Sequence, residues 1–290
     1  MRILIASILL FNVLCASAAE MEIVKAQSMK GDVYRIEGEI LPGDYDKLWR
    51  LFMSVGPELT RVTLDSKGGD ANEAMKIGRL LRRLRMHTFA PMHFTGREPL
   101  CGSKLSDDRN CVCASACFLV FAGGSWRAGN VLVLHRPHLS ATTAAKVTST
   151  EHEELQVRGA KSIRQYLDEM EIPSYYADLM MSRNSETAYV LSAEELNGPE
   201  HLLLGWTPSI EEITISRCRG VANPTEREYY AAGDIARKGS SATSRELAFK
   251  EQILDRSNAH AQCQTDAETK MRAEAFSKEF GDKAWWGKPK

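Results

Sequence analysis

The first two thirds of the chain predict an α/β fold with a mostly parallel sheet. Three observations carry that reading. Short apolar runs of period two recur, as in "DVYRIEGEI" (32–40). Stretches with apolar residues three or four apart lie between them. The joints from strand to helix hold glycines or other small residues, as in "DSKGGDA" and "CASAC". Strands alternating with helices pair in parallel, because each crossover returns the chain to the same end of the sheet.

Taken in order, the chain opens "MRILIASILLFNVLCASAAEMEIVKAQ". Arg2, the apolar run Ile3 to Leu14 and the small residues Ala16-Ser17-Ala18 predict a secretory leader over 1–19, too short for a membrane span. Asn12, Val13 and Leu14 ahead of Cys15 are too large for a lipid-attachment site. Export to the periplasm or beyond, without a membrane span, is the expectation. The remainder suffices for one sizeable core, assigned to 20–215, and an appendage, assigned to 216–290. Formal net charge is −1, which predicts no electrostatic partner. The basic run "RLLRRLR" (79–85) reads as the solvated face of a helix, and export argues against nucleic acid.

A strand is predicted over 32–40 and another at "RVTLD" (61–65). The helix that follows puts Ala74, Ile77, Leu81 and Leu84 on one face, with Asp70 near its start. "HTFA" (87–90) predicts the next strand and "NVLVLHRP" (130–137) a strand of buried type. Leu155, Ile163, Leu167 and Met170 have helical spacing within 144–171, and a second helix runs from Pro173 to near Arg183. From about 216 the chain is charged, with two helical pieces separated by a Gly/Ser break at 239–241, and these read as peripheral.

Seven cysteines become six once Cys15 leaves with the leader. An even count in an oxidising compartment favours disulfides. Cys101 with Cys111 would close a short loop, and Cys218 with Cys263 would clamp the tail to the core. Cys113 and Cys117 either pair across a helix start or pack as buried thiols. A four-thiolate zinc site is the alternative, but the paired two-residue knuckles usual in structural zinc sites are missing, so no metal is assigned.

Ser115 stands among small residues at the start of the apolar segment "FLVFA". A serine in the first turn of a helix lies near free N–H groups and the positive dipole end, which favour an anionic intermediate; the bland reading is a helix cap. The turn at Gly68 places backbone N–H groups between strand and helix, where an oxyanion hole can form. His135 ends an apolar strand, and in α/β sheets ligands bind at the carboxyl ends of strands. Together the three point to a site more strongly than any one of them.

The successive motifs "DSKGGDANEAMKIG", "CASACFLVFAGG", "VLVLHRPHL" and "LSAEEL" resemble those of the Clp protease proteolytic subunit and its relatives in the ClpP/crotonase superfamily. The exported Clp-protease-like proteins, with their cysteine-flanked serine, match best. The resemblance covers roughly 30–208 and implies a spiral of β-β-α units, with a helical extension beyond it. It implies Ser115 as nucleophile, His135 as base, and Gly68 and Ala116 as oxyanion donors. The acid of the Clp subunits falls on or near Asn184, which can orient a histidine but brings no charge. Glu186, the more distant Asp178, or a Ser–His dyad are the alternatives.

The implied function is an exported serine peptidase acting on peptide or protein without metal, nucleotide or other cofactor. Self-association through the charged helix within 144–171 is a further implication of the resemblance. A non-catalytic binding or scaffold protein on the same fold is the alternative. A crotonase-type thioester enzyme would need coenzyme A, which is not expected outside the cytoplasm.

Overall fold

A six-stranded mixed sheet organises the chain. The computed structural model of the protein describes residues 19–25, 32–93, 100–101, 104–105, 111–137, 145–183, 188–197 and 203–281. The leader assigned to 1–19 lies outside them, apart from Ala19. In chain order the strands are β1 (Glu20–Lys25), β2 (Asp32–Glu37), β3 (Arg61–Asp65), β4 (His87–Phe89), β5 (Leu100–Cys101), β6 (Lys104–Leu105), β7 (Cys113–Ala114), β8 (Trp126–Ala128), β9 (Leu132–Leu134), β10 (Tyr189–Val190) and β11 (Gly205–Trp206). The main sheet runs β1-β2-β3-β4-β8-β11. Its inner pairs β2/β3, β3/β4 and β4/β8 are parallel, and its outer pairs β1/β2 and β8/β11 are antiparallel. The mostly parallel sheet expected from the alternation is therefore present, with antiparallel edges.

Burial explains the strand sequences. Residues 33–36 of β2 and 62–64 of β3 are buried on both faces, so they read as continuous runs rather than strict alternation. Helices α1 (Asp44–Val55), α2 (Ala71–Arg83) and α3 (Ala116–Ala122) supply much of the covering. Asp70 caps α2 by accepting from the Glu73 N–H at 2.8 Å, as its place before the apolar face predicts. Where α2 meets α3 the contact is glycine on glycine: a Cβ at Gly123 would lie 2.4 Å from the Gly78 Cα. That close approach lets α3 lie flat in the core, where all seven of its residues are buried.

The remaining helices are α4 (Ser149–Glu169), α5 (Ser174–Ser182), α6 (Ala193–Asn197), α7 (Pro208–Arg217), α8 (Glu226–Lys238) and α9 (Ser244–Phe280). A single 3-10 turn, Gly239–Ser241, separates α8 from α9 at the predicted break. The tail is less peripheral than its charge suggested, because Phe276 and Phe280 belong to the main core cluster. The basic run is also less solvated than expected. Arg82 donates to Glu171 at 2.7 Å and to main-chain carbonyls of α3 and of the residues that end it, while Arg83 pairs with Glu279.

Three disulfides are formed: Cys101–Cys111, Cys113–Cys117 and Cys218–Cys263. The first and third are the expected pairs; the second resolves the open choice in favour of pairing. Among the described residues no group of His, Cys, Asp and Glu could hold a metal ion, and no helix is long and apolar enough to cross a membrane.

Candidate active site

A second, three-stranded sheet runs β10-β9-β7, with β7 and β9 parallel and β9 and β10 antiparallel. A bridge between Ser66 and Cys113 joins β7 to the end of β3. The Ser66 N–H donates to the Val112 carbonyl at 2.8 Å, and the Ala114 N–H donates to the Ser66 carbonyl at 2.9 Å. On its other side β7 pairs Cys113 with Leu132 and Ala114 with Val133. The Ser115 N–H then donates to the Val133 carbonyl at 3.0 Å. One more residue along each strand brings Ser115 level with Leu134, and His135 is the next residue on that neighbouring strand. The ends of β3, β7 and β9 thus bring Gly68, Ser115 and His135 to one rim.

Ser115 itself occupies unusual backbone. Its φ is 56° and its ψ −120°, outside the left-handed helical well, in the single residue between β7 and α3. A non-glycine residue there is strained by roughly 1–3 kcal/mol and persists only where its surroundings over-determine it. Those surroundings are visible: the bond to Val133, the Phe118 N–H donating to the Ser115 carbonyl at 3.0 Å, and the disulfide that joins Cys113 and Cys117 on either side of the serine. The side chain makes no capping hydrogen bond to the helix it precedes. The cap reading of Ser115 therefore loses its physical basis. Sharp strand-to-helix turns of this kind present a serine hydroxyl outward.

Gly68 packs directly against that turn. With φ at 111°, a Cβ added to it would lie 2.7 Å from the Ser115 Cβ, 3.0 Å from the Ala114 carbonyl oxygen and 3.1 Å from the Ala116 nitrogen. Its carbonyl accepts from the Ile40 N–H at 2.9 Å, which holds the loop in place. Its own N–H donates to the Ser66 hydroxyl at 3.1 Å. As an oxyanion donor Gly68 is thus engaged by a neighbour, whereas the Ala116 N–H opens α3, where amides lack an intrahelical acceptor.

His135 is half-buried, and its Nδ1 lies 3.1 Å from the Arg136 carbonyl oxygen. A carbonyl only accepts, so this contact places a hydrogen on Nδ1. A base needs that tautomer, and here main chain supplies the acceptor. Asn184 and Glu186 lie outside the described residues. The described chain reaches Arg183, whose carbonyl accepts from the Arg136 N–H at 2.6 Å. Asp178 lies on α5 and pairs with Arg164 at the exposed surface.

Sequence reasoning missed Glu195 as a support of this rim. It accepts from the Tyr175 hydroxyl at 2.6 Å, the Tyr189 hydroxyl at 2.9 Å and the Ser192 N–H at 2.7 Å. Burial pushes its carboxyl up, but these hydrogen bonds outweigh burial and hold it at about 2. Because Tyr189 pairs with Leu134, the residue before His135, Glu195 braces the strand that ends in the histidine. The available signal was the Ser192-x-x-Glu195 capping-box pattern inside "LSAEEL". No protein-family model matches the chain, and no curated protein matches it.

Proposed function

We propose that the chain is an exported serine hydrolase, a peptidase working from Ser115 and His135 on a ClpP/crotonase-type spiral. The observation that carries this reading is the strained turn at Ser115, uncommitted as a cap and seated beside Gly68 and the end of β9. His135 Nε2 takes the Ser115 proton as Oγ attacks a peptide carbonyl carbon. The oxyanion that forms accepts from the Ala116 N–H. Gly68 supplies a second donor when the Ser66 hydroxyl turns away. Collapse expels the amine, which leaves with the proton from His135, and water then cleaves the acyl-serine ester. The three disulfides are compatible with an oxidising compartment outside the cytoplasm.

The second reading, a non-catalytic binding protein, is favoured by one observation: the Gly68 N–H already has an acceptor in Ser66. Treatment with a fluorophosphonate probe, followed by peptide mapping, separates the two. The hydrolase reading expects a single adduct on Ser115 that is absent from Ser115→Ala. Absence of any adduct, with both proteins equally stable, supports the binding protein.

A further inference from the structure

Strand β8 divides its side chains between two environments. Trp126 faces one side with Phe89 and His87, at ring-centroid distances of 5.2 and 5.9 Å, and Trp206 of β11 joins them through His87 at 5.3 Å. Ser125 and Arg127 face the other side, because side chains alternate along a strand. The β8/β11 register, Gly205 with Arg127 and Trp206 with Trp126, brings Thr207 opposite Ser125 on that same side, and the Thr207 N–H donates to the Ser125 carbonyl at 3.0 Å. The three polar side chains are sealed: Ser125 and Thr207 are 0% exposed and Arg127 1%.

Each of the three has a polar side-chain atom left unsatisfied. Six buried side-chain polar atoms lack a hydrogen-bond partner among the described residues, and four of them are here: Ser125 Oγ, Thr207 Oγ1, and Arg127 Nε and Nη1. Thr207 is the N-cap residue of α7, yet its side chain makes no cap bond. The charge is unbalanced too. Arg127 makes no ion pair among the described residues, and the charged groups felt at this position are Arg82 and Glu171. The Glu171 carboxylate already accepts from Arg82 at 2.7 Å and from the Ser209 N–H and hydroxyl, each at 2.8 Å. Tyr166 and Tyr176 face the same region, but burial pushes both phenols up and keeps them neutral. Two guanidinium groups therefore share one carboxylate. Burial, with Arg82 adding to it, brings Arg127 down to about 9, so it stays charged at neutral pH. An unpaired buried charge is among the most costly features a fold can hold.

We propose that Arg127, Ser125 and Thr207 form an internal site for a small monovalent inorganic anion of halide size. All four unpaired atoms can donate, the guanidinium N–H groups by necessity and the hydroxyls by rotating their hydrogens. A water molecule satisfies hydrogen bonds but leaves the charge, whereas a monovalent anion satisfies both. The single uncompensated charge matches a single negative charge, and four unpaired donors suit a small ion rather than the larger donor shell of a tetrahedral oxyanion. The site stands apart from Ser115 and does not depend on its role.

The test uses bromide. In crystals of the purified protein grown with bromide, an anomalous peak is expected among Arg127, Ser125 and Thr207. Thermal unfolding at constant ionic strength should rise saturably when bromide or chloride replaces gluconate. The Ser125→Ala/Thr207→Val double variant keeps the charge and should bind at least about 10-fold more weakly, the equivalent of one hydrogen bond to a charged group. Arg127→Met should abolish the halide dependence; if it fails to fold, the double variant decides. A peak-free site holding only water, or a halide response identical in wild type and double variant, overturns the proposal.

Discussion

At Ser115 the physical question is why a side chain with a Cβ occupies φ 56° and ψ −120°. Alanine carries the same Cβ, so Ser115→Ala is expected to leave stability within about 0.5 kcal/mol, there being no cap bond to lose. Ser115→Gly removes the conformational penalty and should stabilise the protein by about 1 kcal/mol, net of the entropy glycine adds to the unfolded chain. Urea unfolding of both variants checks this; a loss in Ser115→Gly comparable to an ordinary strand glycine shows that the turn is unstrained. Gly68 is the complementary case. A methyl at Gly68 meets the Ala114 carbonyl and the Ala116 nitrogen, backbone atoms that cannot step aside, at 3.0 and 3.1 Å. Gly68→Ala should cost about 1–3 kcal/mol and suppress phosphonate labelling of Ser115. Gly159→Ala, whose Cβ would meet nothing within 4 Å on α4, is the control and should be neutral or stabilising. Both positions on the rim were legible in the sequence, because small residues between a strand and a helix are a local signal. The backbone conformation of Ser115 was not, since serine has no intrinsic preference for it. Nor was the hydrogen bond that sets the His135 tautomer, because its acceptor is main chain and carries no residue-type signature.

Among the elements, α2, α4, α5 and the strands β3, β4 and β9 were readable, whereas α1, β8 and β11 were not. Helix α2 follows from Ala74, Ile77 and Leu81 on one face, and all three are buried. Strands β8 and β11 contain three and two residues, too few to show any period, and they exist because neighbouring strands pair with them. Helix α1 lacks a side-chain cap at Gly43 and is instead held by Glu73, which accepts from the Gly43 and Tyr45 N–H groups at 2.9 and 2.8 Å. A contact thirty residues away in sequence leaves no local trace. The Glu195 network makes a pH prediction at this scale. A carboxyl held at about 2 when folded stabilises the protein fully above the ordinary carboxylate range, near pH 4.3. That contribution fades as pH falls from there toward 2. The acid limb of wild-type stability should therefore flatten in Glu195→Gln between pH ~4.3 and ~2, while above pH 5 the variant is uniformly less stable. Equal acid limbs would remove Glu195 as the brace of β9.

Across the whole molecule the candidate site and the tail occupy opposite ends of the sheet. Gly68, Ser115 and His135 lie where β3, β7 and β9 end. Helix α9 meets the ends where strands begin: Glu268 with His87 at the start of β4, and Arg272 donating at 3.0 Å to the Pro57 carbonyl, ahead of β3. Phe276 packs on Phe52 in the last turn of α1, at 6.3 Å between ring centroids. The Cys218–Cys263 disulfide, spanning 45 residues, ties the end of α7 to the middle of this helix. Replacing both cysteines by serine should cost about 4 kcal/mol by loop closure, measured by guanidinium unfolding, and leave Ser115 labelling unchanged. The central claim, that the Ser115 turn is built to stabilise charge developing on a reacting oxygen, has one direct measurement. It is the crystal structure of the protein after reaction with a fluorophosphonate. The account predicts phosphorus bonded to Ser115 Oγ and a phosphoryl oxygen about 2.7–3.1 Å from the Ala116 nitrogen, with the Ser66 hydroxyl turned from Gly68. A protein that stays unreacted, or an adduct whose oxygen points away from the α3 amides, would contradict it.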